Sequence, residues 1–528
     1  MVSAAPVVAG DPEELAIYVP NFEMLSEGGF NDTQNNYAWC MAMFKDDIYV
    51  GTGRNIPYTV GLQLKAGGLL PWDLEIPQIT HPDGMPPPPF GPDPDPNTTG
   101  NQYAPDPDAV QEWANDMSAE IWRYHDGMWT RVHKALPFKN QLNGYMYPEG
   151  TGYRYMITYT DKYGVEALYT GVGIGYGRTL LLKSTNGTTW LPVNFTQATP
   201  PYDTRAMAVH NGKLYVGLGA GGIYASDDPN LTQDNWVKVA DFGDGVAIGA
   251  LKSFNGYLYA TTWQSLSSPG DGFQVWRSRT NDPRINDWVQ VVSGGAGDVW
   301  NTFGADLESY KGKLYAGSMS LPITFAGESA GFHTPKGFDL VRINTKDEWD
   351  LIIGNYIIPE ERQSASYEER GLPLSGWPSG FGNPLNLYCW QLEEHNGLFY
   401  LATFDAGSFI RVIPTDLVLS QFNLETIGSA SNELEMSGIQ GEYAEGLLGV
   451  LQESDPLVVI QALEEFLGGS DMWISEDGIH WSPADLNGFG NPNNYGFRTL
   501  VSTEKGFFVG TANPFEGCQV YVGEVESF

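Results

Sequence analysis

One hairpin unit recurs along this chain, and it limits the fold more than any other feature. "RAMAVHNGKLYVG" (205–217) shows the unit: an apolar run, an N-G turn, and a second β-rich run that ends in Gly. Its relatives are "WCMAMFKDDIYVG" (39–51), "GALKSFNGYLYAT" (249–261), "ADLESYKGKLYAG" (305–317), "WQLEEHNGLFYLA" (390–402) and "RTLVSTEKGFFVG" (498–510). A further copy, "RYMITYTDKYGVEALYTG" (154–171), has a longer turn. Period-2 alternation flanking turn residues is the signature of a β-hairpin, and a hairpin repeated at this spacing is one unit of a repeat architecture.

A second hairpin follows each of the first six. Its leading strand reads "EIWRY" (120–124), "LLLKS" (180–184), "GIYAS" (222–226), "QVWRS" (274–278), "DLVRI" (339–343) or "DMWIS" (471–475). After each turn comes a tryptophan: Trp129, Trp190, Trp236, Trp288, Trp349 and Trp481. The last hairpin has only a third strand, "CQVYVG" (518–523). The pattern predicts an all-β, seven-bladed β-propeller of four-stranded blades forming a single domain over 1–528. The missing outer strand is expected from the N-terminus, around "ELAIYVPNF" (14–22), since closure hides a sheet edge that would otherwise invite aggregation.

The turns "STNGTTW" (184–190) and "SEDGIHW" (475–481) resemble the Asp-box of sialidase-type propellers, S-x-D-x-G-x-x-W, with one residue deleted. The resemblance implies a stabilising role for these turns and tryptophans that pack between blades. Sialidase-type propellers have six blades and gather arginines around a substrate carboxylate. No reacting residue of that family is matched by motif here.

Two insertions break the rhythm. Residues 55–118 include the proline-rich "HPDGMPPPPFGPDPDPNTTG" (81–100), which suits irregular or polyproline structure, with a short helix expected at 108–117. Residues 413–469 include "DPLVVIQALEEFL" (455–467), an Asp-capped amphipathic helix by pattern. A smaller excursion covers 320–337. All three leave at the end of a second strand, the end usually called the top of a propeller, where long loops form rims or lids.

Aligning the hairpins on their final Gly compares the blades position by position. The first residue of each innermost strand is then Trp39, Arg154, Arg205, Gly249, Ala305, Trp390 or Arg498. Four residues earlier stand Asn35, Asn301, Asn386 and Asn494 in four neighbouring blades, the last two delivered by a duplicated G-F-G-N-P-x-N at 380 and 488. Arg54 ends the second strand of the first blade, and Asp405 holds the matching position in the sixth. Arg54, Arg154, Arg205 and Arg498 thus form a candidate anion site, because guanidinium groups bind carboxylate, sulfate or phosphate through paired N–H bonds. Trp39 and Trp390 offer stacking faces to the same funnel. Asp405, with Tyr388 or Tyr495, is the candidate acid–base set. The competing reading gives the arginines to inter-blade ion pairs, the asparagines to turns, and the tryptophans to the funnel wall.

Composition narrows the partners. Lys and Arg total 28 against 64 Asp and Glu, a net charge of -36, which repels nucleic acid and anionic membranes. No apolar run is long enough to span a membrane. The three cysteines, Cys40, Cys389 and Cys518, form no disulfide framework and read as buried apolar residues. Five N-x-[ST] sequons and the small-residue start "MVSAAPVVAG" suit a secreted, periplasmic or cell-surface protein. No cofactor is predicted. Calcium is admitted by the acidic "DPDPN" (93–97), although its spacing is not that of an EF-hand, and the scattered histidines do not suit a copper or zinc centre.

Three functions remain open. One is a secreted propeller that binds, and acts on, an acidic saccharide. Another is a non-catalytic extracellular binding protein. The last is an enzyme on a small aromatic or hydrophobic metabolite. The partner in each case is a small molecule or oligosaccharide, and the sequence leaves the oligomeric state open.

Overall fold

The computed structural model describes residues 21–57, 114–139, 146–175, 179–196, 203–219, 222–243, 245–263, 271–320, 323–326, 329–332, 336–364, 367–412 and 468–524. Their strands pair antiparallel in seven sets of four, the first six each a meander of neighbours in sequence. Set 1 comprises Asn35–Phe44, Asp47–Arg54, Glu120–His125 and Met128–Lys134. Sets 2 to 6 begin with the inner strands Gly150–Thr160, Thr204–His210, Ala247–Phe254, Phe303–Tyr310 and Asn386–His395. Set 7 runs through Gly496–Thr503, Gly506–Ala512 and Val520–Glu524.

The fourth strand of set 7 is Asn21–Ser26, which pairs with Val520–Glu524 from Asn21↔Glu524 to Ser26↔Val520. An N-terminal strand thus covers the outer edge of set 7, as expected from sequence, and it overlaps the end of 14–22. The continuous apolar run Leu15–Val19 drew the expectation to the earlier stretch, whereas the pairing strand is the short alternation that starts at Asn21. Residues 14–20 lie outside the described residues, as do most of 55–118, the helix expected at 455–467, and the acidic 93–97. The excursion at 320–337 contains a small hairpin, Ile323–Ala326 paired with Ser329–Phe332.

Apolar cores lie between consecutive sets, because each sheet carries hydrophobic side chains on both faces. Cys40, Tyr49, Ile121, Tyr153, Leu168 and Trp190 form the core between sets 1 and 2. Similar cores join each later pair. Phe508 and Val520 of set 7 pack with Ala38, Ile48 and Val50 of set 1, so the order of neighbours returns to its start. The tryptophans after the outer turns take part: Trp190 and Trp481 are 7% and 4% exposed. The turns "STNGTTW" and "SEDGIHW" share one hydrogen-bond pattern. Asn186 Oδ1 accepts from the N–H groups of Thr188 and Thr189, and Asp477 Oδ1 accepts from those of Ile479 and His480. The three cysteines are buried and free. Among the described residues no helix is long and apolar enough to cross a membrane. The chain is all-β and propeller-like.

Every inner strand carries a β-bulge at one register. In set 1 Ala38 pairs with Thr52 and Cys40 with Gly51, leaving Trp39 as the extra residue. The same gap falls at Arg154, Arg205, Ala305, Trp390 and Arg498, and at Gly249–Ala250 in set 4. A bulge interrupts the two-residue alternation and re-aims a side chain. Here it turns these residues away from the inter-set cores. The neighbouring strands accommodate the large ones: a Cβ on Gly152 would lie 2.1 Å from the Trp39 ring, and one on Gly496 would lie 1.9 Å from the Trp390 ring.

Candidate functional site

The bulged residues converge on a cavity of about 380 Å³ enclosed by the inner strands. Arg154, Arg205, Arg498, Trp39 and Trp390 line it, together with Trp263 from the second strand of set 4. The three guanidinium groups are held over aromatic faces. Arg205 lies 4.3 Å from the Trp263 ring centroid, Arg154 lies 5.3 Å from that of Trp39, and Arg498 lies 5.1 Å from that of Trp390. Cation–π contacts of this kind fix a guanidinium without neutralising it.

Neutralisation is incomplete. Asp203 is shared by two arginines, at 3.2 Å from Arg205 Nε and 3.9 Å from Arg154 Nη1. Arg498 has no carboxylate within ion-pair distance among the described residues, and its Nε is buried without a hydrogen-bond partner. Arg205 Nη1 is likewise buried and unpartnered. Three positive charges therefore meet one carboxylate. Burial, and then repulsion from Arg205, pushes the Arg154 guanidinium well below its ordinary range. Burial brings Arg498 down to about 10, which leaves it charged at neutral pH.

The same cavity has an acidic part built from Asp306, Glu308, Glu393 and Lys252. Lys252 pairs with Glu308. Burial pulls the Lys252 ammonium down, but Glu308 outweighs it and the net shift is upward. Asp306 accepts a 2.8 Å bond from the Leu392 N–H, and burial raises its carboxyl to about 6. Burial, then Glu308, holds Glu393 well above the usual carboxylate range. One cavity thus joins guanidinium groups to carboxyl groups, two of which burial raises above the ordinary carboxylate range.

Other residues singled out from the sequence lie elsewhere. Arg54 is 1% exposed and fully engaged: it donates to Asp32, Asn35, Gln34 and the Asp116 carbonyl. It belongs to the loop network of set 1, not to the cavity. The four asparagines are wholly buried. Each donates from Nδ2 to the carbonyl six residues earlier: Asn35 to Gly29, Asn301 to Gly295, Asn386 to Gly380, Asn494 to Gly488. Each also donates to the residue opening its own third strand, namely Glu120, Asp339, Asp471 or Gln519.

The reason is local. The loops "GGFNDTQN", "GGAGDVWN", "SGFGNPLN" and "NGFGNPNN" place two successive residues in the left-handed region, for example Gly380 at φ 61 and Phe381 at φ 59. That conformation is costly for a non-glycine residue. The asparagine clamps it, and where the second residue is aromatic (Phe30, Phe381 and Phe489) its ring packs on neighbouring rings, as Phe381 does on Trp473 at 3.8 Å between centroids. The duplicated motif is therefore an architectural clamp, and the asparagines do not face the cavity.

The expected acid–base set does not face the cavity either. Asp405 is 1% exposed and accepts from Asn383 Nδ2 at 2.6 Å and the Gly407 N–H at 2.5 Å. Burial, then Asp471, holds its carboxyl well above the ordinary range. The Tyr495 hydroxyl donates to the Tyr37 hydroxyl within an aromatic layer that includes Trp390. Tyr388 stacks on Phe404 at 4.5 Å in the same layer.

The sequence reading missed Trp263, Asp203, Asp306, Glu308, Glu393 and Lys252. Asp203 was legible as the acid two residues before Arg205. Lys252, Asp306, Glu308 and Glu393 follow the bulge on the inner strands, where a charged residue in a run of apolar ones is the available signal, and Trp263 ends a second strand. Among the described residues no cluster of three or more His, Cys, Asp or Glu side chains has the geometry to hold a metal.

No family model and no curated protein matches the chain. Among solved structures it is similar to the computationally designed protein Ika8, at 9% identity over 93% of this chain and 98% of that one, TM-score 0.34. It is similar to YCF48 bound to D1 peptide, at 12% identity over 78% and 87%, TM-score 0.38. It is also similar to a glycoside hydrolase family 43 arabinoxylan arabinofuranohydrolase from Bacillus subtilis in complex with cellotetraose, at 10% identity over 72% and 80%, TM-score 0.29. At these scores the likeness is distant, and strand pairing is what defines the fold.

Proposed function

We propose that the chain is a seven-bladed β-propeller whose axial cavity binds a small anionic ligand. The ring order of the strand sets and the inter-set core joining set 7 to set 1 support the blade count. One observation carries the ligand class: Arg498 is buried, charged and without a carboxylate partner among the described residues, next to two arginines that share one aspartate. An unpaired buried charge is costly, so a site that keeps one is built for an incoming counter-charge. A cavity of about 380 Å³ suits a ligand of sugar-acid size.

Within that reading the ligand is an acidic saccharide. Its carboxylate meets the arginines, and its hydroxyls meet the acidic part of the cavity. A hydrolytic role is a second reading, favoured by the proton held on Glu393 and by Asp306 at about 6. Secretion, with Asp-box turns as outer stabilisers, fits both. Calorimetric titration of glucuronate, glucose and sulfate tests the proposal. Glucuronate and sulfate are expected to bind and glucose is not, with at least a tenfold loss in Arg498→Lys. Equal binding of glucose, or no binding of any anion, would sink it. Release of product from an oligouronide separates the hydrolytic reading from the binding one.

A further inference from the structure

The four asparagine clamps differ in what meets the asparagine's carbonyl oxygen. In set 1, Arg54 donates to Asn35 Oδ1 at 2.9 Å. In set 5, Lys336 donates to Asn301 Oδ1 at 2.6 Å, and Ser318 adds a bond at 2.9 Å. In set 7, Asn513 donates to Asn494 Oδ1 at 3.0 Å. In set 6, Asn386 Oδ1 is buried and has no donor.

The residue opposite explains the gap. Asn35 pairs across its hairpin with Arg54, and Asn386 pairs at the same register with Asp405. Where set 1 supplies a guanidinium, set 6 supplies a carboxylate. The third-strand residue compounds the difference. Glu120 of set 1 has Arg54, Arg131 and Lys134 as partners, and Asp339 of set 5 has Lys336 and Arg370. Set 7 replaces the acid with neutral Gln519. Asp471 of set 6 has no cation within ion-pair distance among the described residues, and neither has Asp405.

We propose that a hard divalent cation, Ca²⁺ by its ligand chemistry, occupies this position in set 6 and is held by Asp405, Asp471 and the orphaned Oδ1 of Asn386. All three ligands are oxygen, the set a hard cation prefers. Two carboxylates enclosed together, at 1% and 6% exposure, balance one dication. The ion performs in set 6 the task that Arg54 and Lys336 perform in sets 1 and 5. It ties the loop before the inner strand to the start of the third strand.

The test uses the full chain after treatment with EDTA. Thermal unfolding is followed with added CaCl2 or MgCl2, and bound calcium is counted by elemental analysis after dialysis. Wild type is expected to gain several degrees with CaCl2 and to retain one equivalent. Asp405→Asn is expected to lose both responses. Asp306→Asn, which alters the acidic part of the axial cavity, is expected to keep both. Asp405→Arg imports the set 1 arrangement and is expected to fold without calcium. Absence of a calcium response in wild type, or a response that persists in Asp405→Asn, would overturn the proposal. If both Asp405 variants fail to fold, the wild-type count decides: one retained equivalent upholds it, and none removes it.

Discussion

Arg498 lies 5.1 Å over the ring of Trp390, and both are the extra residues of β-bulges on neighbouring inner strands. The two are aimed inward by the same backbone irregularity. The aromatic face holds the guanidinium in place, and no carboxylate among the described residues discharges it.

This arrangement sets stability against binding. Arg498→Met keeps much of the side-chain volume and removes a buried, unpaired charge. The variant is expected to be more stable than wild type by about 1–3 kcal/mol in urea unfolding, while binding of anions is lost. Lower stability in Arg498→Met would show that the charge is already compensated.

Asp203 is the counter-charge shared by Arg154 and Arg205. Asp203→Asn leaves three guanidinium groups with no carboxylate beside them. Affinity for sulfate is expected to rise by roughly three- to tenfold at low salt, with a steeper dependence on ionic strength. The same change is expected to lower the melting temperature, because Arg205 loses its ion pair.

Gly496 gives the Trp390 ring its space, since a Cβ there would lie 1.9 Å from a ring atom. Gly496→Ala is expected to cost about 1–3 kcal/mol through displacement of the indole. It is also expected to weaken anion binding, because Arg498 follows the ring it rests on. Chemical denaturation and calorimetry on the same preparation check both effects.

Asp306 gives the molecule a pH signature. Its carboxyl stands at about 6 in the folded protein, against an ordinary value of 3.8, because burial disfavours the anion. The folded state therefore holds a proton that the unfolded state releases between those values. The stability it contributes is present below the ordinary value and is lost as pH rises through about 6. Asp306→Asn retains an acceptor for the Leu392 N–H and escapes that loss. It is expected to stabilise the protein by about 1–2 kcal/mol at pH 8, after allowance for screening by cavity water, and by little at pH 4.

Much of the architecture was legible in the sequence because each hairpin carries its own turn chemistry and its own period. The register of Arg154, Arg205 and Arg498 was legible for the same reason: whatever the turn length, each directly precedes the residue that pairs with the hairpin's final Gly. The roles of Asn386 and Asn494 were not. An asparagine near a strand start looks the same whether it meets a ligand or a carbonyl six residues back. Only the left-handed pair in the preceding loop decides between them. Arg54 was misread alongside the other arginines because it ends a second strand, where no bulge turns it inward, so Asp32, Gln34 and Asn35 claim it. Asp306 and Glu393 were not legible as cavity residues, because an acid beyond the bulge reads the same in sequence whether it faces solvent or a cavity.

The pairing of Asn21–Ser26 with Val520–Glu524 also has a temporal side. Its two partners are the most widely separated strands of the described chain, so this edge is covered only after both have been made and have met. Until they meet, Val520–Glu524 displays a bare margin and Asn21–Ser26 stays unmatched. A chain of this design is thus most exposed to mispairing with a second copy in that interval, when contacts between distant segments must form in preference to those between neighbours.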